Sequence, residues 1–395
     1  MWIRDNETHY EYITVIVDDL LIASRDPKAI TEGLKDLGYE LKSVGTPEYY
    51  NGADIQYDTD NDCWTLSSET YIKTVCERIE KLLEVKLRNN GSPLVVGDHP
   101  EQDETEELYG KDITMYQMLI GCAQWAVNLG RFDIQYATNT LARYSVMPKR
   151  GHFERALRVF GYLQHNKRAR LSLNTSPVDL DMVDFKEHDW TDLYPEATEW
   201  IPDNMPEPKG PRKLQLSVMV DASHATCLDT RRSVTGYIVF LGKAPVKWYS
   251  KRQNTVETSS YGSELVAAHI AVEALLEIRY KLRMMGVPIE ETSNFLCDNE
   301  AVVYNTQFPS SNLKKKHNAV AYHKCREAVA AGIVHFGHIR GIENIADILT
   351  KPKGPCDHFR LLSGVMYGRE YFPPNNVTGH SQVLRGVVEN YDDES

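Results

Sequence analysis

Residues 214–223 read LQLSVMVDAS. Leu214, Leu216, Val218 and Val220 alternate up to Asp221, the period-two pattern of a half-buried strand. Strands are expected next near 234–241 and 244–250, then a long helix from about 260 to 285 that stops before Gly286. A strand at 293–297 runs into Asp298. Helices at about 299–306 and 316–331, a strand at 333–339 and a short helix at 343–350 follow. Three consecutive strands, then alternating helices and strands, predict an α/β layer structure with a mixed sheet.

Upstream, residues 176–209 carry ten acidic side chains against two lysines, with five prolines, and too little apolar periodicity for a core. This stretch is expected to separate two domains. Before it, residues 12–24 read as a hairpin with Asp18 and Asp19 at its tip. Asp26, Pro27 and Gly38 frame a helix, strands are expected near 53–57 and 63–67, and 68–87 reads as helix. Residues 88–110, including the acidic run DHPEQDETEE (98–107), read as loop. Helices near 112–129, 133–145 and 149–165 complete this part, and the chain from Tyr371 onward reads as disordered.

With 395 residues, 42% of them apolar, the chain is long enough for at least two domains. Its longest apolar run, 12–23, is broken by the aspartates and cannot span a bilayer, so no membrane partner is expected. No targeting signal is visible. Seven cysteines without a CxxC pair suit reduced thiols in cytosol or nucleus rather than a disulfide framework. Net charge is −12, but basic residues cluster away from the acidic stretches, so the total does not exclude a nucleic-acid partner.

Three acids are selected by their expected placement. Asp221 and Asp298 end two strands, which can bring them to one sheet edge. Glu264 lies in the first turn of the long helix and shares a face with Ala268, Ala271, Leu275, Ile278 and Leu282. An inward glutamate beside two strand-end aspartates requires a counter-charge, and a divalent cation held by oxygen ligands supplies one. Each residue also has a bland reading, as turn former, dipole partner or cap. Asp347 sits on the flank of the Ile345–Ile348–Leu349 stripe, and spacing alone does not select it. The pair Asp18–Asp19 raises the same question of a missing cation.

These segments resemble a known family. VMVDAS, RRSVTGYIVFLG, PVKWYSKRQ, TSSYGSELVAA, LCDNEAVVYNT, KKKHNAVAYHKCREAVAAGIV and ENIADILTKP are similar, in order and spacing, to the ribonuclease H domain of copia-type long-terminal-repeat retrotransposons. VDDLLIAS resembles the metal-binding motif of the reverse transcriptase of the same elements. YQMLIGCAQWAVNLGRFDIQYATNTLARYSVMP and GHFERALRVFGYLQ resemble the helical region after it. The resemblance implies a truncated reverse transcriptase palm with a helical connection region (1–170) and an acidic linker (171–212). A ribonuclease H-like mixed five-stranded sheet flanked by helices (213–356) and a largely disordered tail (357–395) complete the implied plan.

The resemblance further implies Asp221, Glu264, Asp298 and Asp347 as catalytic metal ligands for two Mg2+ (or Mn2+) ions that hydrolyse the RNA strand of an RNA–DNA hybrid. Asp18 and Asp19 become polymerase metal ligands. Arg231, Arg232, Lys314, Lys315 and Lys316 become candidate phosphate contacts, while discrimination rests on 2′-hydroxyls. His317, His323, His335 and His338 each read either as structural hydrogen-bonders or as proton carriers. Two departures stand out: Ser260, Tyr261, Gly262 and Ser263 precede Glu264 where STEAE is usual, and Ile16 replaces an aromatic before VDD. The third polymerase aspartate would lie upstream of Asp18, where only seventeen residues remain, so the chain reads as the C-terminal part of a polyprotein. Three outcomes are open: an active ribonuclease H, a non-catalytic nucleic-acid binder, or a polymerase completed by upstream parts of the polyprotein. The expected location is the cytoplasm, within a virus-like particle, or the nucleus.

Overall fold

The computed structural model describes residues 1–313 and 316–367. Lys314, Lys315 and the tail from 368 therefore lie outside the described residues. Strands β1 (Trp2–Asn6), β2 (His9–Ile16) and β3 (Asp19–Ala23) form an antiparallel sheet. The β2–β3 turn consists of Val17 and Asp18, since Ile16 pairs with Asp19. Val17 takes φ 57°, the left-handed conformation that a two-residue hairpin requires and that a β-branched residue adopts only under strain. The aspartates thus lie at the hairpin tip, as the sequence suggests. β1 was not expected, because WIRDN has no alternating pattern and is exposed throughout.

Helix α1 (Pro27–Asp36) is capped by Asp26, which accepts the Ala29 N–H at 3.1 Å. Strands β4 (Tyr49–Tyr50), β5 (Ala53–Asp58) and β6 (Cys63–Ser67) follow, then helices α2 (Glu69–Leu83), α3 (Lys111–Asn128), α4 (Gln135–Ala142) and α5 (Arg150–His165). Strand β7 (Arg170–Ser172) pairs with β6 and completes a four-stranded sheet. The acidic segment after it does not behave as a solvated spacer. Val178 and Trp190 are buried, and Glu199 bridges Arg279 and Arg283 at 2.7 and 2.6 Å.

Strands β8 (Leu216–Ser223), β9 (Val234–Leu241) and β10 (Ala244–Arg252) precede helix α6 (Ser260–Met284). Strand β11 (Ser293–Cys297), helices α7 (Glu300–Gln307) and α8 (Ala319–Ala330), strand β12 (Val334–His338) and helix α9 (Pro355–Met366) follow. The sheet order is β10-β9-β8-β11-β12, antiparallel up to β8 and parallel from β8 to β12, which is the expected five-stranded mixed sheet. One face packs Val218 and Val220 against Ala267, Ala268, Ala271 and Leu275 of α6.

The opposite face corrects the half-buried reading of β8, because all eight of its residues are buried. Met219, Ile238, Phe240 and Leu296 are covered by Ile345, Ile348 and Leu349, by Leu361 and Leu362 of α9, and by Phe132 from the first half of the chain. The expected tail boundary at 357 falls inside α9, whose Leu361, Leu362, Val365 and Met366 are buried. Each such side chain contributes roughly 1.5–3 kcal/mol by leaving water. Among the described residues no helix is long and apolar enough to cross a membrane.

Candidate functional site

β8 and β11 are parallel neighbours with Val220 opposite Cys297. Asp221 and Asp298, the next residues, therefore meet at the same sheet edge. α6 begins after Ser259, which accepts the Gly262 N–H, and its first turns place Glu264 against the end of β8. The odd glycine in this helix start has a steric reason. A Cβ on Gly262 would lie 2.7 Å from Glu257 Oε2 and 3.1 Å from Asn318 Nδ2. Asp347 comes from a 3-10 turn, Ile345–Leu349, rather than the expected helix, and all five residues of that turn are buried. Gly236, opposite Asp221 on β9, lets the turn approach; a Cβ there would meet Thr350 and Leu349 at 2.7 and 2.8 Å.

The four carboxylates are crowded and poorly hydrated. Burial, then the charges of Asp221 and Asp298, push the Glu264 carboxyl up to about 10. Burial together with Asp347 pushes Asp221 up to about 7, and the same two causes raise Asp298. Among the described residues, the ammonium groups paired with these carboxylates lie on the Asp347 side. Lys351 Nζ is 2.5 Å from Asp347 Oδ1 and Lys353 binds its Oδ2. Burial opposes the charge on Lys351, but Asp221 and Asp347 outweigh it and raise its pKa. Glu264 Oε2, by contrast, is buried with no hydrogen-bond partner among the described residues.

That orphaned oxygen is where a cation fits. Ligand atoms of Glu264, Cys297 and Asp298 lie within 4.8 Å of one another. Burial and the Glu264 charge hold the Cys297 thiol well above its usual range, so it stays protonated and is a poor ligand. The remaining donors are carboxylate oxygens, the set that suits Mg2+ or Mn2+.

Four supporting residues escaped the sequence reading. Thr350 donates its hydroxyl to Asp221 Oδ2, and Asn344 donates to the Val220 carbonyl at 2.8 Å while capping the Asp347 turn. Lys351 and Lys353 are the others. Asn344 had a local signal, since Asn favours the position before a helical turn; the rest had none.

Of the other candidates, Asp18 and Asp19 are exposed, and among the described residues no third acid closes a metal-binding group with them. Arg231 is exposed and Arg232 half-buried on the β8–β9 loop; Lys316 is exposed. The histidines are each engaged: His317 Nε2 with Glu257 at 3.2 Å, His323 Nδ1 with the Tyr194 hydroxyl at 2.7 Å, His335 Nε2 with Asn294 at 2.8 Å. His338 Nε2 lies 3.3 Å from the Asp298 carbonyl.

No protein-family model matches the chain. A Ty5-1 transposon protein of Saccharomyces cerevisiae is 29% identical over 274 residues, 68% of this chain and 73% of that protein. The retrovirus-related Pol polyprotein from transposon RE1 of Arabidopsis thaliana is 25% identical over 341 residues, 86% of this chain but 20% of that protein. That from transposon TNT 1-94 of Nicotiana tabacum is 25% identical over 375 residues, 92% of this chain and 25% of that protein. The chain thus spans a fifth to a quarter of the plant polyproteins it matches. Among solved structures, LC11-RNase H1 in complex with RNA/DNA hybrid covers 34% of this chain and 94% of its own, at 18% identity and a TM-score of 0.28. That superposition is too loose to bear on function.

Proposed function

We propose that this homologue of copia-type retrotransposon polyproteins, 25–29% identical to them over most of its length, hydrolyses the RNA strand of RNA–DNA hybrids. The observation that carries the reading is that, among the described residues, the cluster of four carboxylates is answered by two ammonium groups and a buried Glu264 oxygen is left unpartnered. Asp221, Glu264 and Asp298 would hold Mg2+ or Mn2+, with Asp347 at the lysine side. Bound there, the cations supply an activated water and charge stabilisation for phosphodiester cleavage.

The chain's own residues supply the rest. Thr350 fixes Asp221, Lys351 and Lys353 fix Asp347, and Asn344 ties the Asp347 turn to β8. Arg231, Arg232 and Lys316 are suited to phosphate oxygens, which position a duplex without reading its sequence. Recognition of the RNA strand rests on its 2′-hydroxyls. Asp18 and Asp19 have no assigned part in this reaction.

The test is cleavage of an RNA–DNA hybrid by the purified chain with Mg2+ and with the metal chelated. The expected result is metal-dependent nicking of the RNA strand alone. Salt-sensitive binding without cleavage selects a non-catalytic binder instead.

A further inference from the structure

The acidic run 98–107 is held as a rigid ledge by the start of α5. Arg155 Nε donates to Asp98 Oδ1 and Oδ2 at 3.0 and 2.9 Å, and its Nη1 donates to Asp103. His152 Nε2 lies 2.8 Å from the Pro100 carbonyl, and Gly151 N–H donates to Thr105 at 2.8 Å. From this ledge Glu101 Oε1 reaches across 127 residues of sequence to accept the Leu228 N–H at 2.9 Å. Gln102 donates beside it to Asp229. Glu101 stays ionised although burial works against it, because the Leu228 amide and His99 favour the charge.

Leu228 belongs to the loop that joins β8 to β9 and begins at His224, three residues after Asp221. The loop is closed on itself, with Arg231 N–H donating to the Cys227 carbonyl at 2.7 Å and Ala225 N–H to Ser233 Oγ at 3.1 Å. Ala225 and Arg231 both adopt left-handed backbone, at φ 50° and 51°, a strain that persists only where surrounding contacts over-determine it. Among the described residues, neither the Arg231 nor the Arg232 side chain has an ion pair or hydrogen bond. The loop is therefore held from its backbone side while its two guanidiniums remain available.

We propose that the acidic ledge is the seat of the hybrid-gripping loop, and that Glu101 is a positioning residue that sets Arg231 and Arg232 against the phosphate backbone through the Leu228 amide. The proposal rests on the hybrid being the substrate. It gives a net-negative segment of the first half of the chain a role in holding a polyanion: three of its six carboxylates, Asp98, Asp103 and Glu101, are taken up by Arg155 and a backbone amide, and the last of these contacts fixes the loop that carries the arginines.

The experiment uses the full chain and a synthetic RNA–DNA hybrid, with affinity read by anisotropy and turnover by RNA nicking. Glu101→Ala is expected to raise KM and Kd about tenfold with kcat changed less than about twofold, the loss of one charge-assisted hydrogen bond. Glu101→Gln keeps an acceptor oxygen and recovers most of the affinity. In an Arg231→Ala, Arg232→Ala background, Glu101→Ala adds nothing further. An unchanged Kd in Glu101→Ala, or a loss that multiplies with that of the arginine variant, overturns the seat even where cleavage proceeds. If the affinity pattern holds but no form cleaves, the nuclease reading falls alone. A wild-type chain that binds no hybrid overturns both.

Discussion

Asp18 and Asp19 stand side by side on an exposed hairpin tip, whereas Asp221, Glu264, Asp298 and Asp347 converge on one sheet edge from four separate segments. In the sequence only the first group is a pair; the acids of the second lie tens of residues apart. Only the second is expensive. Water screens the exposed pair, so it demands nothing from its surroundings. The buried group raises its own carboxyl pKa values and draws two lysines onto Asp347, and it still leaves a Glu264 oxygen without a partner among the described residues. Burial, rather than acid content, separates a cluster short of counter-charge from a surface pair that needs none.

The comparison breaks most readily on activity. Asp298→Asn is expected to lower hybrid cleavage by roughly a thousandfold or more with the fold retained in circular dichroism. Asp18→Asn with Asp19→Asn should leave cleavage unchanged and stability within about 0.5 kcal/mol. Equal losses from the two variants would erase the distinction. Thr350→Val, which removes the hydroxyl that holds Asp221, should cost roughly tenfold in cleavage, as loss of a ligand-orienting group does.

A smaller effect sharpens the contrast from the stability side. Glu264→Gln replaces a carboxyl that must take up a proton on metal-free folding with a neutral amide, and should raise metal-free stability by about 1–2 kcal/mol, a Tm rise of roughly 4 °C. Asp18→Asn should not. The folded chain keeps protons on Glu264 and Asp221 that the unfolded chain releases near pH ~4. Metal-free protein therefore loses stability as pH rises from that range through about 7, where Asp221 ionises, and on towards about 10, where Glu264 does. Mg2+ should restore it, in proportion to the logarithm of its concentration above Kd. A metal-free Tm that climbs between pH 5 and 7 in a variant-dependent way contradicts the burial argument.

Much of the fold was readable locally. The strands over 234–241 and 293–297 coincide with β9 and β11, and the Asp26–Pro27–Gly38 frame is α1 with its cap. β1 and α9 were not read as elements, and the second buried face of β8 was missed. Ser217 and Met219 look like solvent-side residues until Phe132, α9 and the Asp347 turn cover them. In the site, Asp221, Glu264 and Asp298 were selected by strand ends and a helix face. Asp347 entered only through resemblance, because a five-residue 3-10 turn has no period to reveal which side chain points inward.

The acidic run 98–107 shows the same limit. Its composition reads as solvated loop, yet Arg155 and Lys149 hold it and Glu101 grips a backbone amide on the other half of the chain. Alternation, caps and charge are properties of neighbours along the chain, and they suffice to place strands, helices and the acids at their ends. Whether an acid is buried, which hydroxyl or ammonium meets it, and whether a charged loop is free or seated depend on contacts such as Thr350 with Asp221, 129 residues apart. Those contacts exist only once the layers have packed, because the desolvation that gives them their energy comes from the packing itself.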